Sequence, residues 1–155
     1  MVNSPEVPPR EEDQSRSTEN RGPRENRHNG VIMASQNVEI AEKGYAAYAA
    51  GDIETALNDF DDNIEWSIPG NSTLGGTYRG KGEFMQFLGK LAEKSFTTTP
   101  ERILGDGDDV IVITKVTAGG ESALQADALT YRTGKLVKAV TIGDTAMFEK
   151  VYGKK

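Results

Sequence analysis

The chain has 155 residues, 18 Lys and Arg against 24 Asp and Glu for a net charge of −6, no cysteine and one histidine, His28. Without cysteine there is no disulfide framework, thiolate nucleophile or cysteine-held zinc, and a lone histidine in a polar segment supports neither a Ser-His-Asp site nor a histidine-ligated metal. Acid–base chemistry is left to carboxylates, tyrosines and lysines, no cofactor is implied, and the lack of a basic cluster argues against nucleic acid as a partner.

Residues 1–30 hold three apolar residues, no aromatic, four of the six prolines, five Arg and six Asp or Glu. Such a segment buries too little apolar surface to offset its ordering entropy, so residues 1–32 are expected as a disordered charged tail and residues 33–155 as a single domain. No run of 18 apolar residues occurs and the N-terminus has no apolar signal core, so neither a membrane partner nor classical secretion is expected, and the expected compartment is the cytoplasm.

Ser35 can cap a first helix in which Val38, Ala41, Tyr45 and Tyr48 recur at helical spacing, with Gly51 as its stop. Asp52 caps a second, through Ile53, Ala56, Leu57 and Phe60, ended by Asp61-Asp62-Asn63. A short strand, 64–68, meets Pro69-Gly70. After a glycine-rich loop, a third helix starts near Lys81 with Phe84, Phe87, Leu88 and Leu91 as its apolar face. The period then changes to that of strands over 96–104, 110–118, 121–132 and 135–142, separated by hairpin-type turns. The expected class is α+β, three helices packed on one face of a strongly curved antiparallel sheet, a cone with a pocket inside it. The other face of that sheet needs cover, and a homodimer would supply it near Leu124, Ala126, Ala128 and Thr130.

Gly75-Gly76-Thr77-Tyr78-Arg79-Gly80-Lys81 has phosphate-loop spacing, but Gly82 stands where a Ser or Thr would hold magnesium, so it reads as a loop entering a helix. Asn71-Ser72-Thr73 fits a glycosylation acceptor by chance. The acidic groups Asp106, Asp108, Asp109 and Asp59, Asp61, Asp62, Glu65 read as a solvated turn and a solvated helix end, with no metal site. Asp127 differs because aspartate is poor in strands and this one sits mid-strand, sharing a face with Ala123, Gln125, Leu129 and Tyr131. Lining a pocket, it would be a poised acid–base group; facing water, it would be a surface charge.

Tyr45-Ala-Ala-Tyr-Ala-Ala-Gly-Asp52, Asp61-Asp-Asn-Ile-Glu-Trp-Ser-Ile-Pro-Gly70, Gly76-Thr-Tyr-Arg-Gly-Lys81 and Gly134-Lys-Leu136, in this order over residues 36–152, resemble the SnoaL-like and ketosteroid-isomerase-like branch of the nuclear-transport-factor-2-like superfamily. The resemblance implies a cystatin-like roll. It puts Ser67 at the usual base position, Gly44 at that of the oxyanion tyrosine with Tyr45 and Tyr48 nearby, and Asp127 at that of the protonated donor. Where many SnoaL-like proteins carry Trp-Asp in the last strand this chain has Val140-Thr141, and where limonene epoxide hydrolase has Arg-x-Asp it has Gln125-Ala126-Asp127. The implied site is an apolar pocket for a small apolar or polycyclic molecule, with Asp127 as catalytic acid–base and Tyr45, Tyr48, Trp66, Ser67, Gln125, Leu129 and Tyr131 around it. The implied activity is cofactor-independent proton transfer of the isomerase or lyase kind, with a cyclase or hydrolase as further enzyme classes of the superfamily. A non-catalytic ligand-binding or dimerisation module stays open beside it.

Overall fold

The structure, a computed structural model, describes the backbone of residues 21–155 and the side chains of residues 33–155. Helix α1 (Arg21–Ala49) is followed by α2 (Ile53–Leu57), β1 (Phe60–Ile68), β2 (Gly76–Arg79), α3 (Gly80–Ala92), β3 (Thr97–Asp106), β4 (Asp109–Ala118), β5 (Glu121–Arg132), β6 (Lys135–Ile142) and α4 (Thr145–Tyr152). Residues 1–20 of the expected tail lie outside the described residues, whereas the backbone of residues 21–32 continues α1. Ser35 is therefore no cap. It is an exposed residue inside the helix, where its short side chain is solvated and costs little.

The six strands form one sheet in the order β2-β1-β6-β5-β4-β3. Two-residue turns join β3 to β4, β4 to β5 and β5 to β6 in antiparallel pairs. At Gly119-Gly120 both central residues have positive φ, which is the backbone that matches the right-handed twist of the flanking strands. The sheet is not wholly antiparallel: β1 pairs parallel with β6, because the chain returns to β6 by way of the whole β3–β5 meander. Register shifts within β3, β5 and β1 bend it, and the resulting curl wraps the helices.

Three further features depart from the sequence reading. The α2 helix stops at Leu57, so Phe60 opens β1 and points into the core cluster. Within the glycine-rich loop, Gly76–Arg79 pairs with Glu65–Ile68 as an edge strand. The C-terminal residues, left unread, form α4, whose N-cap Asp144 accepts from the Met147 amide at 2.9 Å.

Helix α1 lies across β3 and is fixed there twice. Asn37 Nδ2 donates to the Gly107 carbonyl at 3.2 Å. Gly105 lets the helix approach so closely that a Cβ in its place would meet Val38 Cγ2 at 2.8 Å. The core forms between helices and sheet, from Ile64, Trp66 and Ile68 of β1, Val110 and Val112 of β4, Leu129 and Tyr131 of β5, Leu136 and Ala139 of β6, and Phe84, Phe87 and Leu91 of α3. The α3 residues are the apolar face expected from their spacing.

Candidate functional site

The phosphate-loop spacing leads nowhere, because the Glu83 carboxylate accepts the Arg79 amide at 2.5 Å and occupies the start of α3 where a phosphate would sit. Lys81 lies 3.7 Å from Asp62, and Arg79 is 3.4 Å from Glu65, so part of the acidic group forms surface ion pairs. Among the described residues no three His, Cys, Asp or Glu side chains gather into a metal-ligating group. Asn71-Ser72-Thr73 places a buried Ser72 whose Oγ accepts the Leu74 amide at 3.2 Å.

The cone holds a cavity of about 110 Å³. Its walls are α1, α2, α3 and α4 on one side and the inner sheet face on the other, and they are mostly aromatic and aliphatic. Trp66 and Phe84 stack with centroids 4.8 Å apart, Phe60 and Phe84 tilt at 5.1 Å, and Phe148 of α4 completes the lining.

Asp127 is the polar centre, 4% exposed, on the inward face of β5. Three donors converge on it. The Tyr45 hydroxyl, brought in by α1, donates to Oδ2; Thr141 Oγ1 donates to Oδ1 at 2.9 Å, and Gln125 Nε2 to the same oxygen at 3.2 Å. Thr141 is the cross-strand neighbour of Asp127 on β6, so their side chains meet by register alone. The parallel β1–β6 pairing sets Trp66 beside Ala139, and from there its indole N–H reaches Thr141 Oγ1 at 2.9 Å. Burial pushes the Asp127 carboxyl above its ordinary range, and the hydrogen bonds from Tyr45, Thr141 and Gln125 pull it partly back. Burial, then the neighbouring Asp127 charge, lifts the Tyr45 phenol well above its usual value, so Tyr45 stays a donor. Burial also raises the Tyr131 and Tyr48 phenols.

The structure thus gathers Tyr45, Tyr48, Trp66, Gln125, Asp127, Leu129 and Tyr131 on the cavity wall. Ser67 is a correction. Strand alternation turns Trp66 and Ile68 inward and Ser67 outward, where its Oγ lies 3.0 Å from Thr77 Oγ1 on the opposite face. The position that the resemblance assigns to the base thus carries a serine that faces away from the cavity. Sequence reasoning noted Thr141 only as the substitute for an acid and missed its place in the network; alternation along β6 was the available signal. Thr98, Asp59 and Phe148 also line the cavity without having been singled out for it.

A curled sheet wrapped on helices around such a cavity is the architecture of the nuclear-transport-factor-2-like superfamily, and similar solved structures are described as of that type or as cystatin-like. Within it, the chain belongs to the SnoaL-like domain family, whose description matches residues 41–139. An uncharacterized protein of Mycobacterium tuberculosis, and one of Mycobacterium bovis, are each 27% identical over 79 residues, covering 49% of this chain. The chain spans 60% of the length of these relatives. Bal32a, from a soil-derived mobile gene cassette, superposes with a TM-score of 0.72 at 26% identity, over 77% of this chain and 98% of its own. TerC, co-crystallized with polyporic acid, does so with a TM-score of 0.67 at 26% identity, over 76% and 98%.

Proposed function

We propose that the domain binds a small, largely apolar molecule in its cone and that Asp127 exchanges a proton with it, in cofactor-independent chemistry of the isomerase or lyase kind. The observation that carries this reading is a buried carboxylate set among donors on the wall of an otherwise apolar cavity. Similarity to TerC, co-crystallized with polyporic acid, supports a ligand in the cone. An apolar cavity of about 150 Å³ admits benzene. The present space of about 110 Å³ is smaller, so it suits at most a single ring with the surrounding side chains giving way, and a polycyclic body would have to extend out of it. A second reading, a non-catalytic ligand-binding or dimerisation module, is favoured by the outward-facing Ser67, which leaves Asp127 without a second acid–base group of the usual kind.

The two readings separate on small enolisable ring ketones followed by NMR in heavy water. Under the first, wild type accelerates exchange at the carbon beside the carbonyl and Asp127→Asn slows it by about a hundredfold while affinity, read from Trp66 fluorescence, persists. Binding without acceleration supports the second reading. Absence of binding both by these ketones and by single-ring phenols removes both as accounts of the cavity.

A further inference from the structure

The family resemblance leads one to expect a site that donates hydrogen bonds to an acceptor on its ligand. The hydrogen inventory around Asp127 points the other way. The Trp66 indole is a donor only, so Thr141 Oγ1 must accept from it at 2.9 Å, and the Thr141 hydrogen is then committed to Asp127 Oδ1. Gln125 Nε2 spends a hydrogen on the same oxygen, and the Tyr45 hydroxyl spends its own on Oδ2. A carboxylate has about four lone-pair sites, so two donors on Oδ1 and one on Oδ2 leave one free acceptor site, on Oδ2. Gln125 Oε1 is a second unmet acceptor, buried without a hydrogen-bond partner.

Charge agrees with this count. Among the described residues the ionisable groups on the cavity wall are Asp127 and Tyr45, with Tyr48 on the same helix, Asp59 at the α2–β1 junction and Tyr131 on β5, and none of them is a Lys, Arg or His. An anionic ligand group would meet two carboxylates and no cation. Among the described residues the Tyr48 and Tyr131 hydroxyls have no hydrogen-bond partner, so an acceptor on the ligand has partners elsewhere on the wall, but at Asp127 the open valence is for a donor.

We propose that the cavity takes a small ring compound as a neutral hydrogen-bond donor, its O–H or N–H directed at the free lone pair of Asp127 Oδ2, rather than as an oxyanion. This rests on the ligand-pocket reading above and names the chemical class of its ligand. It also assigns Trp66 a positioning role, since through Thr141 it fixes the direction of the network.

The probe is 4-nitrophenol, whose neutral and ionised forms differ in absorbance, with 4-nitroanisole, in which a methyl replaces the phenolic hydrogen, as its donor-free counterpart. With the full chain, the bound phenol is expected to be neutral at pH 7, its apparent ionisation midpoint raised by a unit or more. Nitroanisole should bind at least tenfold more weakly, although it is the more apolar compound. In Asp127→Asn the preference for the neutral phenol should fall about tenfold, which separates acceptance by the carboxylate from mere apolarity. Bound phenolate, equal affinity for the two compounds, or an unchanged preference in Asp127→Asn would each overturn the donor assignment and leave the pocket reading standing. If neither compound alters absorbance or Trp66 fluorescence, the pocket reading falls and the donor assignment with it.

Discussion

Asp127 carries a cost that depends on pH, and its sign follows from the raised carboxyl. An unfolded aspartate titrates near 3.9; the folded one titrates higher, so between the two values the folded chain holds the extra proton. Stability should therefore decline as pH rises through that window and stay lower above it, by about 1.4 kcal/mol for each unit of displacement. Urea unfolding across pH should show this decline in wild type and a flatter profile in Asp127→Asn, and a carboxyl titration by NMR with a midpoint at or below 3.9 would contradict it. Thr141 supplies a second test. Thr141→Val keeps the shape but leaves the buried Trp66 indole N–H without its acceptor, for a loss of about 1–3 kcal/mol, whereas Thr141→Ser should recover most of it. At this scale Asp127 was legible because an acid in mid-strand violates strand propensity and so asks for a reason. Thr141 was not, because a threonine in a strand is ordinary and its role is created by partners 14 and 75 positions away. Ser67 shows the opposite error. The resemblance placed it in the pocket although Trp66 and Ile68, the apolar residues beside it, already required it to face outward.

The elements that read well from sequence are those with a strong period: the apolar face of α3 and the long strands β4, β5 and β6, whose glycine-containing turns fall where expected. Those that escaped have a physical reason. At four residues, with only Thr77 and Tyr78 as strand formers between glycine and arginine, β2 is too short to show a period and exists by pairing with β1. Helix α4 is eight residues long, below the length at which a helix is stable alone, and it forms because Met147 and Phe148 bury against the sheet and Tyr152 Oη donates to the Leu91 carbonyl at 2.9 Å. The seating of α1 on β3 gives a prediction at this scale. Gly105→Ala would set a methyl 2.8 Å from Val38 Cγ2 and 3.0 Å from the Ala34 carbonyl, and since one neighbour is backbone the helix must shift. A loss of about 1–3 kcal/mol is expected in chemical denaturation. Tyr45 rides on the same helix, so ligand affinity should weaken in Gly105→Ala although no cavity residue has changed.

For the whole molecule, the inner face of the sheet is fully used and the outer face is not. Alternation opposite the buried Val110, Val112, Thr114 and Val116 turns Ile111 and Ile113 outward. Register continues the row from Leu104 through Ile111 and Ala128 to Val140, and from Ile113 through Ala126 to Ile142. Leu104, Leu124 and Ile142 are 46%, 63% and 61% exposed, which is a large apolar outlay for a face that none of the described residues covers. Lys115 and Arg102 border the band and would form the polar rim of an interface. A twofold pairing of two such faces covers the apolar rows with their own kind and leaves both cavities, on the opposite side of each sheet, unobstructed. Light scattering at tens of micromolar should accordingly give twice the chain mass. Leu124→Lys combined with Ile142→Lys should give the chain mass, with circular dichroism unchanged, because both side chains sit outside the core and a lysine there is solvated once the partner is gone. A wild-type monomer under those conditions would mean that the half-buried residues of the band shield one another sufficiently. The charged flanks would then act as ordinary protection of an exposed sheet rather than as a rim.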